Sequence, residues 1–145
     1  MDNARYWITV VSKDRLQRGI AGSFMQANHG KSGPLKKMSQ GDWVIFYSPK
    51  MTMNGDEKLQ AFTAIGQVID DKIYQHQMSA DFIPFRRNIK FYDCIETPVI
   101  SLVDDLDFIK NKSSWGYPFR FGFFGIEEHD FMLLKEKLLG LIAVE

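Results

Sequence analysis

The chain of 145 residues contains a single cysteine, so an intrachain disulfide is excluded. No apolar run approaches the roughly 20 residues of a membrane-spanning helix, and the N-terminus lacks the apolar segment of a signal peptide. The lack of an intrachain disulfide favours a protein of a reducing compartment. We expect a cytoplasmic location with no membrane contact, and one domain over residues 1–145.

The sequence has no overall charge, because 18 Lys and Arg balance 18 Asp and Glu. This balance argues against a strongly electrostatic, non-specific nucleic-acid binder, which is usually basic overall. The charge is nevertheless unevenly distributed: the first 50 residues hold five Lys and three Arg against three Asp, and contain no Glu. The asymmetry predicts a basic face on a neutral protein.

Motifs of catalysis and metal binding are also missing. Gly30-Lys31-Ser32 has the ending of a phosphate-binding P-loop, but Met25 stands where its first glycine is required. The three histidines show no paired metal-ligand spacing. Cys94 lies in an apolar context, which is typical of a buried, unreactive thiol. We therefore predict no catalytic residue, no metal site and no cofactor.

The hydrophobic pattern predicts an α+β fold. Strands are expected over 6–11, 42–47, 62–69, 82–92 and 120–126, with short helices over 15–20, 34–39 and 101–109. A C-terminal helix should begin near Glu127, with one apolar face formed by Phe131, Leu134, Leu138 and Leu141. Because strands outnumber any βαβ alternation, the order favours a curved mixed or antiparallel β-barrel of five to six strands flanked by helices.

Groups that can hold a planar polar ligand are concentrated in two segments. Phe24, Gln26, Asn28 and His29 supply a ring, two amides and an imidazole within a short loop, and Trp115 and Arg120 lie in an aromatic segment further along. Nucleobases are held by stacking on aromatic faces and identified by hydrogen bonds to their edges. This combination indicates a base-binding pocket.

Several stretches, taken in order, resemble the EVE-domain family of the PUA-like superfamily, which also contains the YTH readers of methylated adenine. They are Tyr6-Trp7-Ile8, Gly22 to Gln26 with His29-Gly30-Lys31 and Pro34-Leu35, Gly41-Asp42, Tyr47 to Lys50, Phe62 to Gly66, Pro84 to Arg87, and Trp115-Gly116 with Arg120 to Gly122. The resemblance covers nearly the whole chain. It implies a PUA-like barrel with a pocket at its mouth that holds a modified base.

Carried over position by position, the resemblance assigns a pocket wall. That wall comprises Ser12, Lys13, Phe24, Gln26, His29, Gly30, Lys31, Tyr47, Ser48, Trp115 and Arg120. Four further basic residues are expected to engage phosphates: Lys36, Lys37, Arg86 and Arg87. YTH proteins use a cage of tryptophans, and the loop here has none, so the pocket suits a different base, such as a modified cytosine.

The expected function is therefore that of a non-catalytic module that recognises a modified base in RNA or DNA. We expect a monomer that acts with an effector protein encoded separately. An alternative follows from the ASCH domains, which are also PUA-like and include small amidohydrolases that act on modified nucleosides through a lysine. Lys13 or Lys31 could take that role, with a carboxylate from beyond the first 50 residues. A small-molecule-sensing module is the third interpretation.

Overall fold

A seven-stranded mixed sheet organises the protein, whose computed structural model describes residues 3–140. The strands are β1 (Tyr6–Val10), β2 (Phe24–Met25), β3 (Trp43–Lys50), β4 (Lys58–Gln75), β5 (Phe85–Tyr92), β6 (Thr97–Pro98) and β7 (Phe123–Ile126). The helices are α1 (Lys13–Gly22), α2 (Gly33–Lys36) and α3 (Glu128–Leu139). None of the helices described is long and apolar enough to cross a membrane.

The strand order is β2-β5-β4-β3-β1-β7, with β6 paired to the beginning of β4. β1 runs parallel to β3, and every other pairing is antiparallel. The predicted fold class is confirmed, with seven strands instead of five to six. Within residues 3–140 the sheet stays open, because the edge strands β2 and β7 do not pair with each other.

Both faces of the central strands are buried. In β3, Ile45 and Tyr47 belong to one apolar cluster, whereas Val44 and Phe46 belong to another on the opposite face. This division follows from the alternation of side chains along a strand. The apolar residues of α3 complete the first cluster and those of α1 and α2 complete the second. The sheet is therefore covered by helices on both sides.

A close approach positions β2 beside α1. The helix ends at Gly22, and Ser23 follows with a left-handed φ of 59°. A Cβ placed on Gly19 would lie 2.5 Å from the carbonyl oxygen of Phe24, so only glycine allows this contact. The tight turn brings the Phe24 ring next to the helix.

The expected turn of helix around 34–39 is present as α2, with Pro34 in its first turn. The structure also confirms the C-terminal helix, in which Phe131, Leu134 and Leu138 are buried. Leu141, which the prediction placed on the same face, lies outside the described residues. Strand β4 is much longer than the predicted 62–69, since it continues to Gln75.

The predicted helix over 101–109 is wrong. Only a single 3-10 turn, Val99–Ser101, precedes a series of turns, and the Ser101 hydroxyl donates to the carbonyl of Pro98 instead of capping a helix. The carboxylate of Asp130 accepts the backbone N–H groups of Asp107 and Phe108, both at 2.8 Å. Those two donors are thus satisfied outside a helix.

Candidate functional site

A cavity of about 550 Å³ lies at the edge of the sheet where the parallel strands β1 and β3 end. Because the strands are parallel, their carboxyl ends meet there, and α1, the loop after β2 and the 3-10 turn Tyr117–Phe121 close around them. This volume is within the range of small-molecule sites. The residues that line it include Ser12, Arg15, Leu16, Phe24, Gln26, Asn28, His29, Gly30, Lys31, Phe46, Lys50, Met53, Phe119, Arg120, Phe121 and Gly122.

The cavity wall carries positive charge only. Arg15, Lys31, Lys50 and Arg120 line it, and no aspartate or glutamate of residues 3–140 does. Within residues 3–140, none of these four cations forms a salt bridge. Cations without carboxylate partners around a concave site attract anions, and phosphate is an anion that arginine and lysine both bind well.

One wall is built from three consecutive left-handed residues. Asn28, His29 and Gly30 have φ values of 46°, 61° and 83°. Non-glycine residues in this region store strain, and such strain concentrates at binding and catalytic sites. The turn is held against the β4–β5 connection, because a Cβ on Gly30 would lie 2.5 Å from the Cβ of Pro84. The His29 ring is thereby left exposed at the cavity.

Arg86 packs against the Phe24 ring and orients Gln26. The guanidinium carbon of Arg86 lies 3.7 Å from the centre of the Phe24 ring, which is a close cation–π contact. The Arg86 Nε–H also donates to the Gln26 Oε1 at 2.9 Å. This bond fixes the orientation of the Gln26 amide, so its Nε2 amino group remains as a donor for a ligand.

Two predicted wall residues instead belong to the core. Tyr47 is buried and stacks on Phe119 with ring centres 3.8 Å apart, and burial raises the pKa of its phenol. Ser48 has 0% exposure, and its hydroxyl pairs with that of Thr63 at 2.7 Å. The resemblance assigned both to the wall, but β3 continues past them, and its last residues Pro49 and Lys50 line the cavity instead.

Seven of the predicted wall residues do come together at the cavity: Ser12, Phe24, Gln26, His29, Gly30, Lys31 and Arg120. Lys13 and Trp115 do not line it. Lys13 forms an ion pair with Glu96 at 2.9 Å, and Trp115 is half-buried against the core cluster that contains Phe119.

The four predicted phosphate contacts fall into two groups. Lys36 and Lys37 are exposed but lie outside the cavity wall. Arg86 is buried beneath Phe24, and Arg87 has 2% exposure. The placement of Arg87 at a phosphate is corrected, because its two Nη atoms are bound by three backbone carbonyls at 2.6–2.9 Å. Adjacent arginines alternate across a strand, and here both sides are covered.

Sequence reasoning missed two cations of the wall. Arg15 reaches it from α1 and Lys50 from the end of β3. The excess of positive charge in the first 50 residues was the signal available for both. Asn28, whose amide the sequence pointed to beside that of Gln26, does line the cavity, from the left-handed turn that asparagine tolerates.

A second polar cluster lies at the start of α3. Its members Asp107, His129 and Asp130 are close enough to share an ion. Hydrogen bonding to Asp130, with further attraction from Asp107, raises the pKa of His129. Both oxygens of Asp130 already accept backbone N–H groups, so its position is explained by the fold alone.

The sequence matches the EVE domain family over residues 5–137. A UPF0310 protein of Mycolicibacterium vanbaalenii is 54% identical over 133 residues, covering 92% of both chains. A UPF0310 protein encoded in the gntR 5′ region of Bacillus licheniformis is 45% identical, covering 90% of this chain and 88% of the relative. The solution structure of Rpa0253 from Rhodopseudomonas palustris superposes with a TM-score of 0.58 at 14% identity, covering 97% of each chain, which supports the fold.

Proposed function

The chain belongs to the EVE domain family, and we propose from this premise that its cavity binds a modified base of RNA or DNA without catalysing a reaction. The observation that carries the proposal is the wall itself, where four cations, and no carboxylate from the described part of the chain, surround an aromatic ring and an amide. Nucleotides combine a flat, polar base with an anionic phosphate, so they match both parts of this wall.

In this proposal the base stacks on Phe24. A ring held by a guanidinium is already ordered, so little side-chain freedom is lost when a base stacks on it. The Gln26 Nε2 amino group then donates to an acceptor on the base edge. Leu16, Phe46 and Met53 supply apolar wall that can receive a methyl or similar substituent. These features favour a modified pyrimidine such as a substituted cytosine.

In the same proposal the phosphates bind to the four cations of the wall. On a single strand, the slope of log K against log salt is about −0.7 for each phosphate neutralised, so four contacts would give roughly −2.8. Replacing one contacting cation with a neutral residue should therefore reduce the slope by about 0.7. This predicted salt dependence separates a defined cationic cavity from a diffuse basic surface.

Calorimetric titration tests the proposal. Short RNA and DNA single strands would carry unmodified, methylated, hydroxymethylated or acetylated cytosine, or methylated adenine, at the central position. Selective binding of one modified base, weakened by Phe24→Leu and by Arg120→Gln, is the expected result. Lys110→Gln is the matched control, because Lys110 is exposed and outside the cavity wall. Equal weak binding of every strand would contradict the proposal.

A second candidate is a nucleoside amidohydrolase, and the Lys13–Glu96 ion pair favours it by bringing a lysine and a carboxylate to 2.9 Å. Neither residue lines the cavity, and no carboxylate within residues 3–140 does. A base-binding cavity and this ion pair would thus act on separate surfaces. Turnover of an acylated cytidine that Lys13→Met abolishes would support the enzyme and refute the non-catalytic proposal.

A further inference from the structure

Two large aromatic side chains stand exposed on the 3-10 turn that forms part of the cavity wall. Phe121 has 60% exposure and lines the cavity, and Tyr117 has 57% exposure in the same 3-10 turn. Their ring centres are 5.6 Å apart at an interplanar angle of 88°. Leaving two neighbouring aromatic rings in water is unfavourable, because burial of each ring would lower the free energy of the protein in water. The fold therefore presents an unfilled aromatic surface next to the proposed base site.

The turn that carries these rings is firmly anchored. Phe119, between them in sequence, is buried and stacks on Tyr47 at 3.8 Å. Pro118 fixes the first turn, and Gly122 ends it with a φ of 74°. The backbone that carries the two exposed rings is therefore fixed before any ligand arrives.

The charge around the rings identifies their occupant. Arg120 lies between them in sequence, is exposed, and places its guanidinium carbon 5.8 Å from the centre of the Tyr117 ring. The rim continues into the cationic wall. Aromatic rings alternating with cations are the arrangement that binds single-stranded nucleic acid, in which bases stack on rings and phosphates lie against cations.

We infer that Tyr117 and Phe121 form a stacking site for the nucleotide adjacent to the base held in the cavity. The inference rests on the proposed function and adds to it a second subsite. Recognition then extends from one base to at least a dinucleotide. The aromatic pair offsets part of the free energy needed to separate the cavity-bound base from its neighbour, because it replaces the lost base–base stacking.

The test compares a nucleoside monophosphate with a trinucleotide that carries the same modified base in the middle. For the wild-type protein the trinucleotide should bind about 5-fold to 150-fold more tightly, the range expected for one additional stacked base. Tyr117→Ala and Phe121→Leu should each reduce this ratio, leaving the part that the added phosphate contacts contribute. The ratio is the readout, since a change in the cavity alone affects both ligands equally.

Conservative variants separate stacking from folding. Tyr117→Phe and Phe121→Tyr keep a ring at each position and should retain the wild-type ratio. Ile100→Ala serves as the matched control, because Ile100 is an equally exposed apolar residue that does not line the cavity. A ratio unchanged by Tyr117→Ala and Phe121→Leu would overturn the aromatic subsite while leaving the base-binding proposal intact. Failure of both ligands to bind the wild-type protein would overturn both proposals.

Discussion

Replacement of Arg87 with methionine tests whether this buried cation holds the fold together. Its Nη1 donates to the carbonyls of Leu35 at 2.7 Å and Met38 at 2.6 Å, and its Nη2 donates to that of Asp70 at 2.9 Å. From its position in β5, the side chain thereby links α2 and the turn that follows it to β4. Methionine fills a similar apolar volume, so the lost hydrogen bonds dominate the effect.

The magnitude follows from the acceptors left behind. Two of the three bonds are fully buried, and a buried polar group without a partner costs about 1–3 kcal/mol. The Arg87 Nε has no hydrogen-bond partner in the described part of the chain, so its removal offsets some of the loss. We expect the free energy of unfolding to fall by roughly 3 kcal/mol, a large part of the 5–15 kcal/mol typical of a domain.

Urea unfolding followed by tryptophan fluorescence measures this change. With an m-value of about 2 kcal/mol/M, Arg87→Met should lower the midpoint by roughly 1.5 M at unchanged m. Lys90→Met is the matched control, since Lys90 lies in the same strand but is exposed. The free energy of unfolding of Lys90→Met should lie within about 0.5 kcal/mol of the wild-type value. A midpoint for Arg87→Met as close to wild type as the control would refute the structural role.

Three other outcomes are expected. Asp42→Ala should destabilise the fold by roughly 3 kcal/mol in urea unfolding, because the buried carboxylate accepts three N–H groups at 2.9–3.0 Å; a loss below about 0.5 kcal/mol would contradict this. The hydrogen bond to Asp130 raises the pKa of His129 above its usual 6.5, so its stabilising effect should be full below about pH 6.5 and fade as pH rises through the folded-state pKa; an NMR titration giving a pKa below 6.5 would refute it. Gly122→Ala should cost roughly 1–2 kcal/mol and weaken ligand binding, since its φ is 74° and a Cβ would lie 2.7 Å from the Asn28 Oδ1; unchanged stability and calorimetric affinity would argue against this strain.

The positions of β1, β3 and β5 along the chain, and that of the C-terminal helix, followed from local patterns. Alternating or continuous apolar residues mark β1, β3 and β5, because the side chains of these strands pack into the core on one or both faces of the sheet. The extension of β4 beyond residue 69 was missed, since Asp70 and Asp71 interrupt the apolar pattern that marks the strand. Asp70 in fact accepts a hydrogen bond from Asn88 across the hairpin. That contact depends on a partner distant in sequence.

The candidate site was partly predictable for the same reason. Phe24, Gln26 and His29 lie in one short loop, so sequence proximity alone places them together. The arginines of β5 were a different case, because a charged pair is usually exposed. Only the tertiary structure brings Phe24 over Arg86 and carbonyls onto Arg87. Such burial leaves no local signal in the sequence.

An amide chemical-shift titration with a single strand carrying a modified cytosine tests the central claim most directly. If the cavity binds the base, the signals of Gly30, Lys31 and Gly122 should shift in proportion to occupancy, because all three line it. Shifts confined to the separate concave surface that includes Arg5 and Glu128 would contradict the account. The absence of any shift with the panel of modified bases would contradict it as well.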